Sequence, residues 1–397
     1  MKILVLNSGS SSVKCQYFIE RQSVASVLIE RIGEEEGYGE INYGDQHFSE
    51  RRAIPDHQHA LKVLISMLNS SGVIGSIDEL DAVGHRVVHG GSTFDQPTLV
   101  TQKVINTIRD LIPLAPLHNP ANLKGIIVMQ EHHPGLPQVA VFDTAFHQSM
   151  PASSYLYPLP YSLYEESGIR RYGFHGTSHA FVAKQAAGLM GKDLDKFNLI
   201  TLHLGNGASA AAIQAGKSID TSMGLTPLEG LMMGTRCGDI DPAIIPFISH
   251  NLGLDIDAID AMLNNDSGLK GICGTNDMRE VVEQSEQNNN MSQLALEMYA
   301  YRIRKYIGAY TVALGRVDAV VFTGGIGEHA AKVRELVCSE LEESIGLKLD
   351  LMKNRQSSTK NRVIHDAASR IKLFVIPTNE ELEIAIQTEE VIEKLQV

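Results

Sequence analysis

The sequence contains no tryptophan and only four cysteines, none of which lies near another. Cys15, Cys237, Cys273 and Cys338 form no Cys-x-x-Cys pair. Isolated cysteines of this kind predict reduced thiols and argue against a disulfide framework or a cysteine zinc site. The sequence therefore favours a cytoplasmic protein.

Long apolar runs are also absent. Lys2 is followed by only four apolar residues before Asn7, so no secretory signal peptide is expected. No run approaches the roughly 20 apolar residues that cross a bilayer. We therefore expect no membrane partner.

Basic residues are fewer than acidic ones. The sequence has 34 lysines and arginines and 47 aspartates and glutamates, which gives a net charge of −13. Such an acidic chain is a poor partner for nucleic acid or for an anionic membrane. A local basic site for a small anion stays compatible with this balance. The length of 397 residues, of which 43% are hydrophobic, predicts two packed domains.

The chain is organised around its first predicted strand, residues 3–6, and the turn that follows it. Asn7-Ser-Gly-Ser-Ser-Ser offers hydroxyls and backbone N–H groups, and Lys14 lies on the returning strand, residues 13–18. This tip is a suitable cradle for a phosphate, although an ordinary Ser-rich hairpin has the same composition. It is not a Walker A loop, because a strand follows where a helix should.

Further along, the apolar pattern predicts an α/β protein. A segment rich in proline and tyrosine, residues 150–164, interrupts the pattern and sets the predicted domain boundary. A predicted strand at 81–88 ends in paired glycines, and residues 33–45 are expected to form a loop or an edge hairpin. Further predicted strands cover 24–32, 138–142, 198–204, 208–213, 318–322 and 372–377; predicted helices cover 57–68, 104–111, 119–132, 177–190, 291–314, 330–344 and 379–395.

A faint internal repeat links the two halves. The tip after Leu6 stands between two predicted strands, and so does Gly205-Asn206-Gly207. Two related halves, each with a phosphate-binding hairpin, would explain the similarity, and a coincidence between two Gly-rich hairpins is the alternative.

Two charged residues stand at the ends of apolar strands. Arg86 ends one strand, where it would bind either an anion or a structural acid. Asp143 directly follows the strand 138–142, at the end where α/β proteins place their chemistry. It would act in catalysis, in metal binding or as a cap.

Two polar loops carry further candidates. Arg170 to His179 combines arginines, histidines and glycines ahead of a predicted helix, which favours an anion at its N-terminus. His175 and His179 have the spacing of a zinc pair but lack an evident third ligand. Arg236 lies in a second Gly-flanked loop, where it would form a surface ion pair or clamp a phosphoryl group.

The segment Gly324 to Ala330 follows a strand and opens a predicted helix. Gly325-x-Gly327-x-x-Ala330 matches the dinucleotide fingerprint, and Asp350 lies 20 residues on. An NAD-dependent oxidoreductase is therefore one alternative, and a Gly-rich turn at the base of an adenosine is the other. A non-catalytic ATP-binding switch is a third possibility from a different class.

Taken together, these motifs resemble the acetokinase family over essentially the whole chain. The resemblance rests on Asn7-Ser-Gly-Ser-Ser-Ser-Val-Lys14, Gly84-His-Arg86-Val-Val-His-Gly-Gly91, Pro116-Leu117-His118-Asn-Pro120, Phe142-Asp143-Thr-Ala-Phe-His147, Arg171-Tyr-Gly-Phe174-His175-Gly-Thr-Ser-His179, His203-Leu-Gly-Asn206-Gly207, Gly234-Thr-Arg236-Cys-Gly-Asp239, Thr323-Gly-Gly-Ile-Gly-Glu328 and Pro377-Thr-Asn-Glu380-Glu381.

The resemblance implies two duplicated α/β domains of the actin and hexokinase superfamily (acetate and sugar kinases) with an interdomain cleft. The domains would be 1–150, completed by the C-terminal helix 378–397, and 151–377. The implied reaction is reversible transfer of the ATP γ-phosphoryl group to acetate, with propionate or butyrate as the alternative acceptor. The implied cofactor is Mg²⁺, or Mn²⁺ in its place, and the implied assembly is a homodimer.

The same resemblance implies roles for individual residues. Asp143, His175 and Arg236 would be catalytic, and Asn7 and Glu380 would support the metal. The substrate would be bound by Arg86, Val88, Leu117, Phe174 and Pro227; the nucleotide by Lys14, His203, Leu204, Gly205, Asn206, Gly207, Asp277, Met278, Arg279, Gly325, Ile326, Gly327, Glu328 and His329. His329 stands where the family more often carries Asn, which leaves the nucleotide preference open.

The acceptor carboxylate has a pKa near about 4 and needs no general base at neutral pH. We therefore expect Asp143 to orient the acceptor through a neighbouring His or Arg, or to bind the metal. Val88, Leu117 and Phe174 favour a small pocket and hence acetate.

Overall fold

The computed structural model describes residues 1–116 and 118–396. Contacts between Cα atoms divide the chain into two compact units. Unit 1 comprises Met1–Phe146 and the C-terminal segment from Asn379, and unit 2 comprises His147–Thr378.

The strands of the described residues form one sheet in each unit. They are β1 (Lys2–Ser8), β2 (Ser12–Ile19), β3 (Gln22–Glu30), β4 (Gly37–Tyr43), β5 (Gln46–Arg52), β6 (Ala82–Val87), β7 (Thr98–Leu99) and β8 (Gln138–Phe142) in unit 1, and β9 (Asn198–Leu204), β10 (Ala208–Gln214), β11 (Lys217–Thr221), β12 (Ala319–Thr323), β13 (Arg362–Val363) and β14 (Lys372–Val375) in unit 2.

The α-helices of the described residues follow in chain order. They are α1 (His57–Ser70), α2 (Gln102–Asp110), α3 (Asn119–His132), α4 (Ala152–Tyr155), α5 (Ser162–Ser167), α6 (Gly176–Met190), α7 (Ile244–Leu252), α8 (Ile256–Asn265), α9 (Gly268–Cys273), α10 (Met278–Glu286), α11 (Asn290–Leu314), α12 (Gly324–His329), α13 (Ala331–Cys338), α14 (Leu341–Ile345), α15 (Leu351–Arg355) and α16 (Glu380–Gln396).

The first strand lies inside the sheet of unit 1, whose order is β5-β4-β3-β2-β1-β6-β8-β7. β1 pairs antiparallel with β2 and parallel with β6, and β6 pairs parallel with β8. A strand that is flanked on both sides and covered on both faces must be apolar throughout. The run from Ile3 to Leu6 meets that requirement, since each of its residues is at most 3% exposed.

The two faces of β1 contribute to different cores. Leu4 and Leu6 belong to a cluster with side chains of α1 and α3. Ile3 and Val5 alternate with them and pack with Ile384 of α16. Residue 84 of β6 must be glycine, because a methyl group there would lie 2.4 Å from Thr388 Oγ1 of α16.

The sheet of unit 2 repeats this topology in the order β11-β10-β9-β12-β14-β13. β9 pairs antiparallel with β10 and parallel with β12, which in turn pairs parallel with β14. Five consecutive strands therefore have the same arrangement in both units, β3-β2-β1-β6-β8 in unit 1 and β11-β10-β9-β12-β14 in unit 2, as the internal repeat in the sequence predicts. Both units are α/β, which agrees with the predicted class.

Several predicted elements differ from the observed ones. The single helix predicted at 330–344 is observed as two short helices, α13 and α14. A further short helix, α12, lies directly before them. Residues 150–164 include α4 and the start of α5. The apolar residues around much of the circumference of the helix predicted at 291–314 favour a buried helix, but α11 is buried along one side only, since Tyr301 is 55% and Val312 82% exposed.

The N-terminus of α6 departs most clearly from prediction. The sequence predicts Thr177 or Ser178 as its cap, but the capping residue is His175, in the left-handed conformation with φ 55° and without a side-chain cap bond. Such a conformation is uncommon for a residue with a Cβ atom and is concentrated at functional sites.

Two expectations about composition can be compared with the structure. All four cysteines are free thiols, and Cys15 and Cys338 are buried. Within the described part of the chain, no helix has both the length and the apolar content that a membrane crossing requires.

Buried neutral histidines should make the protein sensitive to acid. In His147, burial lowers the pKa to about 4, although the carbonyl of Phe174 accepts a hydrogen bond from Nε2 at 3.0 Å. The unfolded chain binds a proton near the usual pKa of about 6.5. Between these two values the unfolded state holds the extra proton, so stability falls as the pH falls.

In the wild type the free energy of unfolding should fall as the pH is lowered from about 7 to about 5. We expect His147→Gln to make this slope shallower, by up to about 1.4 kcal/mol per pH unit. Urea denaturation at several pH values measures this slope. The exposed His250→Gln should keep the wild-type slope. Equal slopes for His147→Gln and wild type would contradict the interpretation of His147 as a buried neutral histidine.

Candidate active site

In unit 1 the ends of three strands bring polar residues to one edge of the sheet. β1, β6 and β8 run parallel along their shared register, with Leu6 opposite His85 and Val87 opposite Phe142. Asn7, Arg86 and Asp143 occupy the corresponding strand ends. Hydrogen-bonded register therefore places three residues from distant parts of the sequence side by side.

Arg86 and Asp143 form a two-pronged ion pair. Arg86 Nη2 lies 2.6 Å from Asp143 Oδ2, and Arg86 Nε lies 3.1 Å from Oδ1. Asp143 is buried, with a side chain 2% exposed, whereas that of Arg86 is 22% exposed. Burial disfavours the guanidinium charge, but Asp143 and Glu380 outweigh it and raise the pKa of Arg86.

A second carboxylate, Glu380 at the start of α16, faces the same guanidinium. Its Oε2 lies 3.8 Å from Arg86 Nε. Burial raises the pKa of Glu380 to about 7; Arg86 opposes this shift, while Asp143 and Glu381 reinforce it. One guanidinium therefore faces two carboxylates, the buried Asp143 and the half-buried Glu380, and this excess of negative charge suits a cation.

The residues at this edge fit a magnesium ion. Among the described residues, no three His, Cys, Asp or Glu side chains form a cluster that could hold a metal without other ligands. Magnesium commonly takes only one or two carboxylates and completes its octahedron with water and substrate phosphates. Asp143, Glu380 and the amide of the half-buried Asn7 supply hard oxygen donors of that kind.

The remaining predicted residues of unit 1 are placed as follows. Val88 is buried, and its backbone N–H donates to Asn122 Oδ1 at 3.0 Å. Lys14 is exposed on β2 opposite Asn7, and its charge lowers the pKa of Glu380. Leu117 lies outside the described residues.

In unit 2 the turn between β9 and β10 forms the edge of a large cavity. The turn is closed by a hydrogen bond from Gly205 N to the carbonyl of Gly207, 3.0 Å long. The cavity has a volume of about 780 Å³ and is lined by Gly205, Asn206, Asn276, Asp277, Met278, Arg279, Val282, Gly325, Ile326, His329, Ala330, Ala331 and Lys332. It therefore brings together three separate segments that the sequence marks as nucleotide-binding.

Some of the predicted nucleotide residues do not line this cavity. Leu204 is buried in the sheet, and His203 Nδ1 bonds to Ser178 Oγ at 2.8 Å. Glu328 acts within the protein, because its Oε1 accepts from the backbone N of Gly324 at 3.0 Å and of Thr378 at 3.2 Å. Gly327 is buried, and its carbonyl accepts from Arg334.

Arg236 and His175 converge over the next residue of the turn. A methyl group placed on Gly207 would lie 3.4 Å from Arg236 Nη1 and 3.7 Å from His175 Nε2. Arg236 Nη1 donates to the carbonyl of Pro227 at 3.2 Å and contacts Met233 Sδ. No carboxylate of the described residues pairs with Arg236, and burial lowers its pKa. This guanidinium is therefore available to an anion.

The loop that carries Pro227 and Arg236 is held by a polar network. Arg171 pairs with Glu229 at 2.6 Å, and Asp239 accepts from Tyr306 Oη at 2.7 Å and from Gly230 N at 2.8 Å. Phe174 is buried and Pro227 half-buried. The network fixes the position from which Arg236 reaches Gly207.

The two histidines with zinc-pair spacing, and the aspartate that follows the dinucleotide fingerprint, all form hydrogen bonds within the protein. Ser209 Oγ lies between the rings of His175 and His179, 2.9 Å from Nδ1 of the first and 2.8 Å from Nε2 of the second. Asp350, which the dinucleotide fingerprint would place on a ribose, instead caps α15 by accepting from Met352 N and Lys353 N.

Sequence reasoning missed several lining residues, namely Asn276, Val282 and residues 330–332. Asn276 precedes a recognised motif, and its side chain donates to Asn206 Oδ1 at 3.1 Å. Ser209 was also missed, since a serine inside an alanine-rich strand gives no signal in one sequence.

Known proteins match essentially the whole length of the chain. The model of the acetokinase family matches residues 2–386. The acetate kinase of Sulfurovum sp. (strain NBC37-1) is 58% identical over 395 residues, which cover 100% of both chains.

Solved structures match as closely in fold. The crystal structure of Porphyromonas gingivalis acetate kinase matches with a TM-score of 0.94 and 43% identity, over 98% of this chain and 99% of that one. A propionate kinase from Francisella tularensis subsp. tularensis SCHU S4 matches with a TM-score of 0.92 and 43% identity, over the same shares. These matches confirm the predicted fold class.

The fold and these relatives define a phosphotransferase whose acceptor is a carboxyl group. Within that class, the chain belongs to the acetokinase family. The alternatives of an NAD-dependent oxidoreductase and a non-catalytic switch are not favoured.

The contact between Gly234 and Asn206 yields a testable prediction about nucleotide binding. A methyl group at residue 234 would lie 2.0 Å from Asn206 Oδ1, so Gly234→Ala must displace that side chain from the cavity. We expect the Kd for ATP, measured by calorimetry, to rise about tenfold, the effect of losing one hydrogen bond.

Gly188→Ala is the matched control, since no atom lies within 4 Å of its added methyl group. It should bind ATP as the wild type does. An unchanged Kd for Gly234→Ala would argue that Asn206 takes no part in nucleotide binding.

Proposed function

We propose that this protein catalyses the reversible transfer of the γ-phosphoryl group of ATP to acetate, giving acetyl phosphate and ADP. The observation that carries the proposal is the pair of donors over Gly207. Arg236, unpaired with any acid in the described residues, and His175 both lie close to Gly207, and the two preceding residues, Gly205 and Asn206, line a cavity of about 780 Å³. Phosphoryl transfer needs this kind of charge stabilisation and positioning more than covalent chemistry.

The nucleotide would occupy the cavity of unit 2. Its adenosine would lie against Gly325, Ile326 and the segment from Asp277 to Arg279, with its phosphates along the turn at Asn206. Arg236 and His175 would then donate to the equatorial oxygens of the transferred group. Both donors stabilise charge that spreads over those oxygens in the transition state.

The acetate carboxylate would be bound by Arg86 in unit 1. Asp143 engages Nε and Nη2 of that guanidinium, which leaves Nη1 for the substrate. We propose that Asp143 acts on the acceptor through Arg86, by fixing the plane of the guanidinium. A carboxylate acceptor is already ionised at neutral pH, so no base is required.

Mg²⁺, or Mn²⁺ in its place, would be supported by Asn7, Asp143 and Glu380, which fit a hard cation. When bound, the ion neutralises phosphate charge and orients the phosphate chain. The protein's own contribution is to hold these oxygens at the strand edge and at the start of α16.

Acetate is the proposed acceptor because the chain is 58% identical to an acetate kinase over its whole length. The family resemblance assigns Val88, Leu117, Phe174 and Pro227 to the methyl group of the substrate. One extra methylene changes discrimination by only about 1–3 kcal/mol, so propionate is expected as a slower substrate. We also propose that the protein is cytoplasmic and forms a homodimer.

Acyl hydroxamate formation tests the reaction. With ATP, Mg²⁺ and hydroxylamine, we expect product with acetate, a lower kcat/KM with propionate and a still lower one with butyrate. Product without an acid, or none with any acid while ATP still binds, would refute the proposal. A preference for propionate would change the proposed acceptor but not the proposed reaction.

Asp143→Asn tests the orienting role. The amide cannot form two charge-assisted bonds to Arg86, so we expect kcat/KM for acetate to fall by about 10²-fold or more, as on loss of one transition-state donor. The Kd for metal-free ATP should change little, because the residues proposed to hold the adenosine lie in unit 2. Exposed Asp78→Asn, which alters no residue of this edge, should behave as the wild type.

A further inference from the structure

A chain of buried hydrogen bonds leads from the middle of β9 to His175. Thr201 Oγ1 lies 2.7 Å from His179 Nδ1, and His179 Nε2 lies 2.8 Å from Ser209 Oγ. Ser209 Oγ then lies 2.9 Å from His175 Nδ1. Thr201, His179 and Ser209 are all completely shielded from solvent.

The direction of donation along this chain follows from counting protons. Burial lowers the pKa of His179 well below the usual value, so its ring is neutral and carries one N–H group. Each hydroxyl also carries one proton. Four groups joined by three hydrogen bonds can therefore donate consistently in only two directions.

In the first direction every proton inside the chain has an acceptor. The Thr201 hydroxyl donates to His179 Nδ1, His179 Nε2–H donates to Ser209, and the Ser209 hydroxyl donates to His175 Nδ1. The ring of His175 then carries its proton on Nε2, the nitrogen that lies near Gly207.

In the reverse direction the last proton has no acceptor. His179 would donate from Nδ1 to Thr201, and the Thr201 hydroxyl would need a further acceptor. Apart from His179, no hydrogen-bond partner of Thr201 Oγ1 is present among residues 1–116 and 118–396. A buried hydroxyl without an acceptor is unfavourable enough to disfavour this direction by about tenfold or more.

We infer that Thr201, His179 and Ser209 are positioning residues, which fix the neutral tautomer of His175 with its proton on Nε2. His175 is thereby held as a hydrogen-bond donor toward the same space as Arg236. The catalytic consequence rests on the proposed function, whereas the tautomer does not depend on it.

The inference also explains why a histidine serves beside an arginine. A second fixed cation would bind the phosphates of ATP equally well before and during transfer. A neutral N–H donor adds directional stabilisation where the transferred oxygens move, without adding a permanent charge.

The tautomer can be measured directly in the substrate-free protein. With ¹⁵N-labelled histidine at about pH 8.5, where free imidazole is neutral, long-range ¹H–¹⁵N correlation distinguishes protonated from unprotonated ring nitrogens. The signals of His175 are assigned by their loss in His175→Asn. We expect protonated Nε2 and unprotonated Nδ1; a protonated Nδ1 would overturn the inference even if the kinase reaction is present.

Ser209→Ala removes the hydroxyl that donates to His175 Nδ1. We expect the Nδ1–H tautomer of His175 to become populated and kcat to fall about tenfold, the effect of one lost hydrogen bond. KM for ATP and for acetate should stay within about twofold. Ser209→Thr, which restores the hydroxyl, should recover most of kcat and the wild-type tautomer.

Thr221→Val is the matched control. Thr221 is buried in the same sheet and donates to the carbonyl of Ala210 at 2.9 Å, outside the chain of four. It should leave the tautomer and kcat unchanged. An unchanged tautomer in Ser209→Ala, or an equal loss of kcat in Thr221→Val, would contradict the positioning role.

Discussion

The parallel pairing of strands is the constraint on which the rest of each unit depends. In unit 1 the register of β1, β6 and β8 is fixed by backbone hydrogen bonds, and their ends carry Asn7, Arg86 and Asp143. In unit 2 the pairing of β9 with β12 brings the turn at Asn206 to the same edge as the start of α12. A slip of one residue would turn these side chains toward the opposite face.

The two units have opposite imbalances of charge. At the edge of unit 1, one guanidinium faces two carboxylates, so the protein alone is short of positive charge. In unit 2, within the residues described, Arg236 faces no acid and is short of negative charge. Each imbalance is unfavourable in isolation, so each unit by itself favours a ligand of the opposite charge.

The sequence predicted those features that are encoded locally. Uninterrupted apolar runs identified β1, β8 and β9, and glycines between them marked the turn at Gly205. The family resemblance predicted Arg86 and Asp143 as site residues, and the parallel register explains why they meet. Their pairing with each other could not be read from spacing, because 57 residues separate them.

Other features depend on tertiary contacts that a single sequence does not reveal. His175, not Thr177 or Ser178, is the capping residue of α6; its backbone is left-handed and its ring is bonded to Ser209. The broken helix after residue 330 reflects the packing of separate short helices. The role of Ser209 is invisible for the same reason, since its partners come from α6.

The position of α16 determines the order in which the protein can be built. This helix follows all of unit 2 in the chain, yet its Ile384 covers one face of the first strand. During synthesis, unit 2 therefore has its complete sequence before unit 1 does. Ile3 and Val5 stay uncovered by α16 until then, so β1 is among the last strands to be fully buried although it is translated before all of unit 2.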